Sequence, residues 1–395
     1  MDMQSKAKKL IEMIQTASVE WKPLGEVADY EQPTKYLVAS KNYDDKFDTP
    51  VLTAGKTFIL GYTDETEGIY KASGSPVIIF DDFTTANKWV DFDFKVKSSA
   101  MKIITSKNEQ NVLLKYVYYW LNTLPNSLTD GDHKRQWISN FSNKEIPIPP
   151  LETQQKIVKI LDKFTELGAT LEATLEAELA LRKRQYRYYR DFLLDFDNQI
   201  GGGIADGYKG RLKDVVWKTL GEVCENLDSM RKPITSNFRK AGNVPYYGAS
   251  GIVDYVEDFI LDGDYLLVSE DGANLLARKT PIAFSVSGKI WVNNHAHILK
   301  FRTYAERRFI EFYLNNIDIS MYISGAAQPK LNKQNLNKIR IPIPPLPEQE
   351  KIVAILDKFD TLTHSISEGL PHEIALRRKQ YEYYREQLLA FPKAA

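Results

Sequence analysis

The sequence predicts an α+β fold made by tandem duplication, with two sheet-rich globular domains separated by two long antiparallel helices that form a coiled-coil-like spacer. Three observations predict it. Residues 146–196 and 341–391 repeat without a gap at an offset of 195. One copy runs from IPIPPLETQQKIVKILDKF to LRKRQYRYYRDFLLDF, the other from IPIPPLPEQEKIVAILDKF to LRRKQYEYYREQLLAF, and such self-similarity is read before any fold. Within the first copy, Ile157, Ile160, Leu161, Phe164, Leu167, Leu171, Leu175, Leu179, Tyr186, Tyr189 and Leu193 step mostly by threes and fours, the apolar stripe of a helix. The remaining sequence holds short β-branched and aromatic runs, VIIF (77–80), YLLVS (265–269) and KIWV (289–292), set between Gly, Asp, Asn and Ser turns.

In chain order, residues 1–20 form an amphipathic helix over 4–17, with Leu10, Ile11, Met13 and Ile14 on its apolar side. The first globular domain spans 21–146 and contains a helix near 110–123. The first long-helix region, 147–198, opens on a proline lead that cannot be helix interior, because proline lacks the N–H and clashes with the preceding turn. About 45 helical residues reach roughly 65 Å. The stutter ATLEATLEAEL (169–179) repeats every four residues, close to one turn. Residues 199–215 form a linker, and the five glycines of DNQIGGGIADGYKG (197–210) read as a flexible joint. The second globular domain spans 216–341, with a helix over 304–316, and the second long-helix region spans 342–395. There Gly369-Leu370-Pro371 predicts a break, with Pro371 at the first position of a new helix. The duplication includes the globular parts: WKPLGEV at Trp21 matches WKTLGEV at Trp217, and FKVKSSAMKII (94–104) matches IWVNNHAHILK (290–300).

A chain of 395 residues exceeds one ordinary core. Cys224 is the sole cysteine, which excludes a disulfide framework and a CxxC metal site and fits a reducing, cytoplasmic setting. The start carries Lys6, Lys8 and Lys9 without a signal-peptide core, and no apolar run approaches a membrane span. With 52 basic and 52 acidic side chains the chain lacks the basic surplus of a stand-alone nucleic-acid binder, so partners or local clusters must supply phosphate contacts.

No catalytic constellation is present: GxxxxGK[ST], HExxH, GxSxG and the Pro-Pro-aromatic signature of adenine methyltransferases are all missing. Asp93–Lys95 reads as a solvated strand face. His295 and His297 share a strand face but lack further ligands, and the first half has Ser99 and Met101 in those places, so no metal is expected. The positive signal is loops rich in side chains that hydrogen-bond base edges or phosphates. They carry Lys88, His133, Lys134 and Arg135 in the first half. In the second they carry Arg231, Lys232, Arg239, Tyr246, Tyr247, Ser250, Asn274, Asn293, Asn294, His295, Gln328 and Lys330. On the long helices, Arg182, Arg184, Tyr186 and Tyr189 recur as Arg377, Arg378, Tyr381 and Tyr384, a candidate partner or phosphate surface. The alternative is cations placed to suit a helix C-terminus.

The repeat, its IPIPPL-x-x-Q leads and its LR-basic-basic-QY-x-YYR ends resemble the specificity subunits of type I restriction–modification systems, along nearly the whole chain. VPYYGASGIVDYV, VSEDGAN and WVNNHAHI resemble that family's recognition domains as well. The resemblance implies a non-catalytic DNA reader. Each domain would recognise one half of a bipartite, asymmetric target, and the helices would set the spacer and dock two adenine-N6 methyltransferase subunits. It also implies motor–nuclease subunits in a full complex, no cofactor on this chain, and S-adenosylmethionine, ATP and Mg in the partners. The competing classes are a scaffold for protein or carbohydrate and an enzyme with an unrecognised site. Neighbouring methyltransferase and motor–nuclease genes discriminate them.

Overall fold

A computed structural model describes residues 3–53, 57–125, 135–196, 214–325 and 328–393. Two compact units result, Met1–Thr174 with Ile374–Ala395, and Leu175–Glu373. The predicted linker at 199–215 lies almost wholly outside the described residues.

In unit 1, helix α1 (Met3–Ile14) buries Ala7, Leu10, Ile11 and Ile14, whereas Met13 is 55% exposed, off the predicted apolar face. Strand β1 (Glu20–Pro23), the turn α2 (Leu24–Val27) and β2 (Ala28–Glu31) follow, then the hairpin β3 (Thr49–Leu52) and β4 (Ile59–Thr63). The fully buried run VIIFD is β5 (Val77–Asp81), and β6 (Asn87–Val90), β7 (Lys95–Val96) and β8 (Met101–Ser106) complete the head. A four-stranded sheet has the order β2-β8-β5-β6 and a three-stranded one β4-β3-β7. Helix α3 is Leu114–Leu121, shorter than the predicted 110–123, and α4 is Gln136–Ser139. The proline lead forms β9 (Glu145–Ile148), antiparallel to β1 with Trp21 opposite Pro147. Lys95 corrects the solvated-face reading: it is buried, bonded to the Glu67 carbonyl at 2.6 Å and paired with Glu65 at 2.8 Å.

Helix α5 (Leu151–Leu194) is 44 residues long. It starts where Pro149 and Pro150 end, and the buried Gln154 amide donates to the Pro149 carbonyl at 2.9 Å and to Asn111 O at 2.9 Å. This explains the glutamine of the IPIPPL-x-x-Q lead, for Gln349 donates to Pro344 O in the same way.

Unit 2 repeats the plan with β10 (Val216–Thr219), α6 (Leu220–Val223), β11 (Glu225–Asn226), β12 (Ala241–Gly248), β13 (Gly251–Val256), β14 (Leu261–Ser269), α7 (Asn274–Ala277), β15 (Ala283–Val292) and β16 (Ala296–Lys300). Helices α8 (Tyr304–Asn316) and α9 (Lys333–Asn337), strand β17 (Arg340–Ile343), and helices α10 (Leu346–His364) and α11 (Gly369–Leu389) follow. The six-stranded order is β11-β16-β14-β15-β12-β13. The duplication extends to register: Val51 and Leu52 pair in parallel with Lys95 and Val96, and Tyr246 and Tyr247 with Trp291 and Val292. Unit 2 has one sheet where unit 1 has two, because β15 is continuous where β6 and β7 are interrupted. Asp93, at that interruption, instead accepts from the Ser73 hydroxyl at 2.7 Å and Lys71 at 2.9 Å.

Within unit 1, α5 and α11 run antiparallel: Tyr381 reaches Thr165 at 3.1 Å, Arg378 reaches Glu172 at 2.9 Å, and the Phe164 and Tyr384 rings lie 5.0 Å apart. Within unit 2, α5 and α10 do the same through Tyr186 against His364 and Tyr189 stacked on Phe359 at 5.4 Å. The predicted break is present. The new helix begins at Gly369, whose φ of 76° no L side chain adopts readily, so Pro371 is its third residue and not its first. The stripe is buried at its ends, at Ile157, Leu161 and Leu193, but Leu167 and Leu171 stand 48% and 39% exposed, contrary to the uniform seam expected.

Candidate nucleic-acid interface

In unit 2 the segments following β11, β14, β15 and α8 converge, fastened by buried polar groups. Asp228 accepts from Ile298 N at 2.9 Å and meets His297 Nδ1 at 2.7 Å. His297 Nε2 meets Leu331 O at 2.7 Å, so both ring nitrogens face acceptor oxygens. Glu270 binds Arg231, and Lys330 at 3.2 Å, while its backbone carbonyl accepts from Leu331 N at 2.7 Å. Burial works against ionisation of Asp228 and Glu270. Burial is the largest single influence, but the hydrogen bonds and charges of His297, Ile298 N and Arg231 on Asp228, and of Arg231, His297 and Lys330 on Glu270, together outweigh it and hold both carboxyls below their ordinary values.

Unit 1 builds the same cluster from other residues. Lys102 lies 3.4 Å from Asp82 with both side chains buried, and it also donates to Gln32 Oε1. Asp82 accepts from Trp137 N at 2.8 Å, and its carbonyl accepts from Gln136 N at 2.8 Å. Arg135 sits at the mouth, 3.5 Å from Gln32. Strand register makes Lys102, paired with Phe80's carrier strand, the counterpart of His297 opposite Val268. The offset is 196 at Lys95 and Trp291 but 195 at Lys102 and His297. Ala100 and Lys102 therefore occupy the histidine positions, not the expected Ser99 and Met101. Among the described residues no cluster of three or more His, Cys, Asp or Glu could hold a metal.

Of the candidate residues, Lys88, Arg135, Lys232, Ser250, Asn294, His295, Gln328 and Lys330 are exposed. His133 and Lys134 lie outside the described residues. His295 is 2.7 Å from Asp271. Arg239 pairs with Asp254 at 3.1 Å and lies over the Tyr246 ring at 4.5 Å. Tyr247 is half-buried beside Phe284. Tyr246 and Asn293 correct the surface reading, since both are buried. The Tyr246 hydroxyl accepts from Ile234 N at 2.9 Å, and Asn293 Oδ1 accepts from His295 N at 2.8 Å. Asn274 clamps its loop through Thr280, donating to O at 2.9 Å and accepting from N at 3.1 Å. These three shape loops from within.

On the helices, Arg182 pairs with Glu178 at 2.7 Å, Arg184 is exposed, and Arg377 bonds Gln380 at 3.2 Å. Tyr186, Tyr189, Tyr381 and Tyr384 all face the neighbouring helix of their own unit; burial pushes the Tyr186 phenol up to about 12. The outward apolar positions were not singled out from sequence. They are Leu181 and Tyr188, 53% and 58% exposed, and their repeats Leu376 and Tyr383, 45% and 56% exposed. Their offset of 195 was the available signal.

The family profile described as "Type I restriction modification DNA specificity domain" matches residues 18–181 and again 213–376. The chain is 47% identical over 417 aligned residues to the EcoR124I/EcoR124II specificity subunit of Escherichia coli, covering 97% of each. It is 43% identical over 180 residues to a putative type I restriction enzyme specificity subunit of Haemophilus influenzae, covering 45% of this chain and 46% of that one. The fold matches a type I S subunit from M. genitalium with a TM-score of 0.54 at 17% identity, over 96% of this chain and 98% of that one. A chain from a study of type I complex assembly and conformational transition gives 0.52 at 17% identity, over 94% and 99%.

Proposed function

Because this chain belongs to the type I restriction modification DNA specificity family, we propose that each of its two heads reads one half of a bipartite, asymmetric DNA target. The paired helices set the unread spacer and seat two adenine-N6 methyltransferase subunits. The chain supplies recognition and no catalysis; S-adenosylmethionine belongs to the methyltransferase partners, and ATP and Mg to motor–nuclease subunits where these join. One observation carries the reading: the strand pairing and the four segments of the buried cluster recur in both heads, while the side chains at the mouth differ, Arg135 in one head and Lys330 in the other. Duplicated frames with different loops suit two readers of different sequences better than one ligand bound twice. A second observation supports the docking part. The same leucine and tyrosine protrude from both helix copies, as two equivalent partner sites require.

The test is to co-express the full chain with the adenine methyltransferase gene of its own system in a host without adenine methylation, and to sequence the modified bases. A gapped motif with one N6-methyladenine on each strand is expected. A contiguous motif, or methylation that does not depend on this chain, overturns the reading.

A further inference from the structure

Beneath the loops of each head lies a buried ionic cluster whose chemistry differs between heads while its positions do not. Four segments supply it in both cases: the stretch after the first sheet strand (Gln32 or Asp228), the end of the central strand (Asp82 or Glu270), the start of its neighbour (Lys102 or His297), and a loop carrying an exposed cation (Arg135 or Lys330). A cluster needed only for folding would be free to stay the same in both copies, as Gln154 and Gln349 do. Instead it varies along with the surface above it. Buried charges tie segments into one geometry, because leaving any member unpaired is costly. One further backbone bond in each head fixes the cation-bearing loop to the same segment, Gln136 N on Asp82 O and Leu331 N on Glu270 O.

We infer that these clusters are specificity-determining positioning devices: they set the height and direction at which Arg135 and Lys330 approach the DNA, and so which base each head accepts. Asp82, Lys102, Glu270 and His297 touch no DNA themselves. They act through the loop, and the inference rests on the proposed reading of one half-site per head.

The experiment compares methylation motifs of the co-expressed complex carrying wild-type chain, Glu270→Gln or Lys330→Gln. Lys330 is exposed, so K330Q removes the mouth cation while Arg231 keeps its pair with the Glu270 carboxylate. Both variants should raise methylation at sites altered at the same base of the second half-site, by about tenfold, the discrimination carried by one base contact. The first half-site should be unchanged. If E270Q fails to assemble, Glu270→Asp, which keeps the charge but draws it back by one methylene, should relax that same base. An unchanged motif for the Glu270 variant, blurring of both half-sites, or relaxation at a base other than that of K330Q overturns the inference. A wild-type complex giving no gapped motif would instead refute the underlying function.

Discussion

Arg308 on α8 gathers three carboxylates of unit 2 around one guanidinium. Its guanidinium donates to Asp357 at 2.9 and 2.7 Å, to Asp360 at 3.2 Å and to Glu311 at 2.7 Å. Arg308→Met keeps an apolar stem beside the Phe312 ring but removes the cation shared by the three carboxylates, leaving Tyr304 on Asp357, His364 on Asp360 and Ser285 on Glu311. Removing one member of a buried pair costs about 3–5 kcal/mol. Asp360 is 40% exposed and screened by water, whereas Arg308 and Glu311 are 12% and 11% exposed, so the expected loss is about 2–4 kcal/mol. For a domain of about 150–250 residues that lowers Tm by roughly 5–15 °C. The pH dependence has a definite sign. Burial holds the Glu311 carboxyl above its ordinary value, with Arg308 and Ser285 opposing. A carboxyl raised in the folded state binds its proton there more tightly, so it subtracts stability as pH rises through that window. Loss of Arg308 widens the window, and the deficit of the variant should be larger near about pH 8 than near about pH 5.5. Differential scanning calorimetry at both values is the assay. A Tm within about 2 °C of wild type, or a larger deficit at the acid pH, would refute this account of the α8–α10 contact.

Inserting one more TLEA after Ala173 should lengthen the rod by about 6 Å and keep the apolar face nearly in phase, adding one or two base pairs to the spacer at about 3.4 Å each; base-resolved methylation with an unchanged spacer would contradict the ruler. Replacing Tyr188 and Tyr383 by Ser should abolish co-purification of the methyltransferase, with a Tm change equivalent to no more than about 0.5 kcal/mol per surface substitution; retained assembly would show that these tyrosines are bystanders. Burial, aided by the Asp228 charge, pushes the Cys224 thiol up to about 12, so a maleimide near about pH 8 should label the native chain about a thousandfold more slowly than the denatured one. Rapid native labelling would place that thiol in solvent.

The long helices were legible because their signal is local and doubled. Period, proline lead and repeat all agree over residues 146–196 and 341–391, and Gly369-Leu370-Pro371 marks the one break. Strands such as Val77–Asp81 and Leu261–Ser269 were legible from uninterrupted apolar runs. The clusters beneath the loops were not. Gln32 becomes Asp228, Lys102 becomes His297 and Asp82 lengthens to Glu270, and loops of different length shift the offset between copies from 196 to 188 and then to 195. Only strand pairing aligns them. Burial of Lys95 and Tyr246 escaped notice for a related reason: each polar group finds a partner well away in sequence, Glu65 and Ile234 N, whereas Asn293 is buried on the local turn it closes with His295 N. Exposure of Met13, Leu167 and Leu171 shows the reverse, that helical spacing names a face without saying how much of it is covered.

The central claim is that each head reads its own half of the target. Exchanging residues 21–145 for the corresponding segment of a relative that methylates a different sequence tests it most directly, with sequencing of methylated adenines in cells carrying the hybrid complex. The account predicts a motif whose one half becomes the relative's, while the other half and the mode of methylation remain those of this chain. A motif changed in both halves, or in neither, would contradict it.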